Sequence, residues 1–135
     1  MKFVKTTLVP VLLAGIWISI SEFVRNQIIF PDYWVEHYFS LGLEFPAKPI
    51  NGAVWGVWSM LFSVVLFFIS RRFSWIETGL IGWLFGFAMM WLVIGNLGVL
   101  PLSLLKFAVP LSVLEAFLAS YILHLFKQES PVSGN

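Results

Sequence analysis

An acid stands almost at the midpoint of the apolar run Leu102–Phe126, LSLLKFAVPLSVLEAFLASYILHLF. At roughly 1.5 Å per residue, a run of this length crosses a hydrocarbon core of about 30 Å and leaves Glu115 about 1.5 Å from its centre. An ionised carboxylate there costs on the order of 3 kcal/mol even on a lenient insertion scale, so Glu115 needs a partner. Polar groups at comparable depth occur on the first apolar run. There Gly15, Ser19, Glu22 and Asn26 recur at spacings of three and four and share one helix face. Arg25, three residues after Glu22, is close enough for an intrahelical ion pair.

Helical side chains lean toward the N-terminus of their own helix. In antiparallel runs that tilt steers Glu22 and Arg25 toward the midplane and Glu115 outward. If the two helices are neighbours, Glu22, Arg25, Asn26 and Glu115 converge on one polar site in the outer half of a bundle, with the hydroxyls of Ser19 and Ser112 counted among its ligand-binding groups. One guanidinium between two carboxylates leaves negative charge in excess. That excess suits a proton, a cation or a small amine-bearing ligand.

The remaining ionisable residues have plainer readings. Asp32, Glu36 and His37 are ligand-type residues whose spacing fits no metal motif, and His37 reads as a surface histidine among interfacial aromatics. His124 falls near the end of the last run, where a dipole contact or snorkelling accounts for it. The two histidines lie on opposite sides and cannot jointly clamp a haem within one chain. Glu77 reads as the third residue of a capping box opened by Ser74, and Lys106 as an interfacial lysine. Trp83, in the middle of the third apolar run, could stack on a ligand. There is no cysteine, so thiolate ligands and disulfides are ruled out. We expect no catalytic residue, no metal and no cofactor.

Composition dictates the elements that must hold the site. The 135 residues are 59% hydrophobic and 11% charged, against about a quarter charged in soluble domains. The reading is an all-α integral membrane protein partnered by the lipid bilayer. A net charge of +1 without a long basic run argues against nucleic acid. Four transmembrane helices are expected, over about Leu8–Ile29, Asn51–Ser70, Trp75–Leu97 and Leu102–Phe126. The start, Met1–Lys5 before an apolar run, also fits a secretory signal with Ser19-Ile20-Ser21 as its cleavage site; we read it as a retained first helix. Between the first two spans, Pro31-Asp32 opens a short amphipathic helix at the interface that Gly42 ends, and Phe45-Pro46-Ala47-Lys48-Pro49 is an extended connector. Trp55 and Trp58 read as belt aromatics. Gly82 and Gly86, in line with Thr78 and Met90, form a small-xxx-small pair for helix packing. Pro110 predicts a kink or a freed carbonyl. Residues 1–127 then make one transmembrane domain and 128–135 a disordered polar tail. With Lys2, Lys5, Arg71, Arg72 and Lys127 on one side against Arg25, Lys48 and Lys106 on the other, the bundle runs up-down-up-down, N-in and C-in, in a cytoplasmic (inner) membrane.

The size, the four helices and the glutamate within Ile20-Ser21-Glu22-Phe23 resemble small multidrug-resistance transporters. The likeness covers little beyond those four residues. The chain departs from that family in its long outer segment, in Arg25 beside the acid and in Glu115, so the family's function is not carried over. Three functions are open. The first is a transporter or ligand-binding membrane protein that uses the Glu22, Arg25, Asn26 and Glu115 site. The second is an accessory subunit of a larger membrane complex, or a homo-oligomer, docking through the Gly82 and Gly86 seam and the aromatic faces. The third, a membrane enzyme acting on lipid head groups, would place Asp32, Glu36, His37 and Glu44 at the outer interface.

Overall fold

In this computed structural model the described residues are 1 and 3–127; Lys2 and the tail at 128–135, whose composition predicts disorder, lie outside them. Four helices are long and apolar enough to cross a bilayer: α1 (Val4–Ile29), α3 (Pro49–Ser70), α4 (Trp75–Asn96) and α5 (Leu102–Leu125). A short α2 (Pro31–Ser40) joins the first two.

The ends of these elements have local causes. α1 begins at Val4, earlier than the expected Leu8, because the Val9 N–H reaches back five residues to the Val4 carbonyl. This widened π turn leads the chain into Pro10, which has no N–H to donate. α3 begins at Pro49 rather than Asn51, since proline at a first helical position loses nothing. At the start of α4 the Ser74 Oγ accepts from the Glu77 N–H at 3.3 Å while the Ser74 N–H donates to Glu77 Oε2 at 2.9 Å, a capping box. α2 stops where Gly42 adopts φ 71° and the Leu43 N–H returns to the Tyr38 carbonyl at 2.9 Å. α5 continues through Pro110 as one helix.

α1 packs between α3 and α5, and α4 packs on both α3 and α5. The buried positions are mostly small: Ala14 and Gly15 on α1, Ser63 on α3, Ala116 and Ala119 on α5. Lipid tails are as apolar as leucine, so close approach of small side chains, not expulsion of water, holds such helices together. The Gly82 and Gly86 seam follows that rule within the chain. A Cβ at Gly86 would lie 2.6 Å from the Phe62 ring, and one at Gly82 would run into Leu66. α3 therefore fills the seam, which leaves no groove there for a second protein. Trp58, expected in an interfacial belt, belongs to the same packing, with its ring centroid 5.1 Å from that of Phe62 and 5.9 Å from that of Phe87.

The two ends of the bundle differ. At the α3–α4 turn, Ser120 Oγ donates to the Trp75 carbonyl at 2.6 Å, Lys127 Nζ to the Ser70 carbonyl at 2.8 Å, and His124 Nε2 lies 3.0 Å from the Phe73 carbonyl. That end is stitched shut. At the other end α2 folds over the bundle, held by the Phe30, Tyr33 and Phe107 rings and by His37 Nε2, 2.8 Å from the Gly98 carbonyl.

Replacing Gly86 by alanine pushes a methyl group into the Phe62 ring and is expected to cost about 1–3 kcal/mol. Gly56→Ala, whose new Cβ meets nothing within 4 Å, should stay within about 0.5 kcal/mol of the parent. Thermal unfolding of both variants in detergent checks the contrast, and equal losses would contradict the packing assigned to the seam.

Candidate functional site

Glu22 and Arg25 leave α1 one turn apart, at the point where the helix changes pitch. Over Val24–Ile29 the backbone widens into a π turn, closed by the Phe30 N–H on the Arg25 carbonyl at 3.0 Å. Such widened turns carry an extra residue per turn and re-aim the side chains on them. Arg25 is 5% exposed, and its guanidinium donates from Nη2 to Glu22 Oε1 and from Nη1 to Glu115 Oε2 at 2.9 Å. One cation thus serves two carboxylates from two helices. A second π turn, Leu84–Ala88 on α4, carries Phe87, whose ring centroid lies 5.3 Å from the guanidinium carbon. The aromatic face gives the buried cation a further partner.

Asn26 extends the network outward. Its Nδ2 donates to Glu22 Oε2 at 2.9 Å and to the Glu22 carbonyl at 3.0 Å, and its Oδ1 accepts from Trp34 Nε1 of α2 at 2.9 Å. The line from α2 to the middle of α5 therefore reads Trp34, Asn26, Glu22, Arg25, Glu115. Trp17 braces the far end by donating to the Glu115 backbone carbonyl at 3.0 Å. Glu115 is 1% exposed, and its Oε1 accepts from no donor among the described residues.

Beside this network lies a cavity of about 640 Å³, within the range of small-molecule sites. Ser19, Glu22, Arg25, Asn26 and Ser59 make its polar end, and Lys48 and Asn51 line it around the start of α3. Trp34, Tyr38, Phe45, Trp55 and Trp91 make an aromatic wall, and Met90, Ile94, Leu100 and Leu104 an apolar one. Phe45 packs on both Trp34 and Tyr38, with centroids 6.1 Å and 5.3 Å apart, as a roof contributed by α2 and the connector after it.

The sequence-based candidates fall into three places. Ser19, Glu22, Arg25 and Asn26 line the cavity. Glu115 joins them through Arg25 but stands behind the guanidinium, off the cavity wall. Ser112 does not belong with them: its hydroxyl is turned to the Val109 carbonyl at 2.8 Å and receives the Trp83 Nε1 donor at 2.9 Å. In a helix a serine readily bonds back to its own preceding turn. The same hydroxyl holds the indole of Trp83, the residue expected to stack on a ligand.

Spacing places Trp34 and Tyr38 on the apolar face of the short interfacial helix, but neither they nor Phe45 and Trp91 are marked by sequence as cavity residues. Asp32, Glu36 and His37 share a shallow hollow with Pro101 and Ser103, without Glu44. Among the described residues, no group of three or more His, Asp or Glu side chains is placed to hold a metal ion. Lys106 Nζ sits over its neighbour Phe107, 4.9 Å from the ring centroid. Compared with family models, curated proteins and solved structures, the chain matches none of them. Function therefore rests on the geometry of the site.

Removing one member of a buried ion cluster strands the others without a counter-charge. Arg25→Met is expected to destabilise the protein by about 3–5 kcal/mol. Adding Glu115→Gln should recover part of that loss, with a coupling of at least about 1 kcal/mol in a double-mutant cycle. Unfolding of the single and double variants in mixed micelles measures it, and strictly additive losses would mean that the Arg25–Glu115 contact carries no energy.

Proposed function

We propose that this small polytopic membrane protein binds an organic cation, an amine-bearing molecule above all, in the cavity beside Glu22 and Arg25. The observation that carries the reading is the sharing of one guanidinium by two buried carboxylates, with that guanidinium and Glu22 on the wall of an aromatic-walled cavity. With both acids ionised, the cluster is one positive charge short. A ligand cation near Glu22 would make up that deficit. Unit charges about 4 Å apart at an effective dielectric near 20 attract by about 4 kcal/mol before desolvation is subtracted. The surplus after desolvation is what discriminates a cation from a neutral molecule of the same shape. The aromatic walls favour the same sign, since ring faces attract cations.

The sidedness that accompanies this reading is set by the basic residues. We place the end bearing Arg71, Arg72 and Lys127 at the cytoplasmic face, with four alternating spans, α2 lying at the outer interface and the cavity in the outer half of the membrane. A transporter would use the same site. Leu66 and Phe62 fill the Gly82 and Gly86 seam, so an accessory subunit would have to dock on the aromatic faces instead.

Phenethylamine and 2-phenylethanol differ in charge and little in shape. Titrated into the protein in lipid nanodiscs, with tryptophan emission as the signal, the amine is expected to bind at least about tenfold tighter, roughly 1.4 kcal/mol. Glu22→Gln should shrink that preference to about twofold while the protein stays folded. Equal affinity of the wild-type protein for the two probes would sink the proposal.

A further inference from the structure

The cavity is not enclosed on all sides, and its open side has a definite address. α1 and α3 touch closely where a Cβ on Gly15 would lie 2.5 Å from Met60 Sδ and 3.1 Å from Ser63 Oγ. One to three turns further along α3, toward its start, a Cβ at Gly56 or Gly52 would meet nothing within 4 Å. The two helices therefore form a V, closed at Gly15 and open toward Gly52. Both glycines line the cavity, as do Phe23 on one lip and Val54 on the other. Phe23 is 59% exposed and Val54 62% exposed, so the cavity wall there is at the same time the outer flank of the bundle. At the vertex of the V, Ser19 and Ser59 line the cavity, and Glu22 comes one turn on from Ser19.

A flank that faces acyl chains admits what is dissolved among them. We infer that the ligand is an amphiphile drawn sideways from the bilayer, with its amine head at Glu22 and its hydrocarbon part lying in the slot over Gly52 and Gly56. This rests on the cation-binding function proposed above and adds to it a substrate class and a route. Charge complementarity fixes the head at Glu22, the acid on the cavity wall: Arg25 already serves two carboxylates, and Lys48, which also lines the cavity, comes from the connector before α3 and not from the vertex. The missing side chains at positions 52 and 56 fix the tail: they leave a channel beside the aromatic wall that only an apolar group can occupy without desolvation loss. A water-soluble amine would instead pass the roof formed by α2 and the connector, and would leave the slot to lipid.

The slot can be filled without disturbing the fold, since Gly56 has open space where a side chain would go. In nanodiscs, with empty discs as the partition control, dodecylamine is expected to bind wild type at least tenfold tighter than phenethylamine. Gly56→Leu should weaken dodecylamine at least tenfold and change phenethylamine by less than twofold, and Gly52→Leu serves as the second variant should the first fail to fold. If Gly56→Leu leaves dodecylamine binding unchanged, or weakens both amines alike, the lateral route is wrong while the cation site stands. If 1-dodecanol binds as tightly as dodecylamine, the head-group assignment fails and the function proposed above fails with it.

Discussion

Everything in the upper half of the bundle is arranged around the Arg25 guanidinium. An unpaired cation in a hydrocarbon layer is too costly to persist, and so is an unpaired carboxylate. Bringing Glu22 from its own helix and Glu115 from α5 to the same guanidinium answers both needs at once. It also commits α1 and α5 to be neighbours and fixes their register, because a slip of one residue on either helix would swing an acid by about 100° away from its partner. The contact of Phe87 with the guanidinium draws α4 into the same constraint.

Regular α-helices would not meet that constraint unaided. Both α1 and α4 widen by a π turn beside the guanidinium, at Val24–Ile29 and at Leu84–Ala88. The extra residue in each turn rotates the side chains on and beyond it relative to a regular helix. On α1 this turn carries Asn26, which holds Glu22 from one side and Trp34 from the other. The roof over the cavity is thus tied by hydrogen bonds to the buried charges, and a change at Glu22 reaches α2 through a single amide.

Rigidity is unevenly shared between the two ends. The α3–α4 turn is bonded to α5 through Ser120, His124 and Lys127. The opposite end depends on stacked rings, one histidine contact and the Trp34–Asn26 hydrogen bond, and there α1 and α3 diverge. Local opening favours the weaker contacts, so under the proposed function a ligand would enter at the α2 end. This asymmetry supports a site reached from one side of the bundle, consistent with the proposed function.

The spans, their connecting turns and the cap on α4 were legible because each arises from local chemistry: long apolar runs, proline at helix starts, glycine at a left-handed residue, serine three residues before glutamate. The cost of Glu115 in lipid was legible too, and with it the demand for a cation, of which Arg25 was the deepest on offer. Tertiary structure alone decided how that demand is met. Helix periodicity assumes a uniform pitch, so it could not foresee the π turns. A hydroxyl carries no label for whether it serves a ligand or its own helix, so Ser112 was misplaced. The glycines show the division most plainly. Gly82, Gly86, Gly52 and Gly56 are alike as sequence, two small residues four apart on an apolar helix. Only the neighbours that the fold supplies turn one pair into a filled contact and the other into an open slot, because a missing side chain has no chemistry of its own beyond the space it leaves.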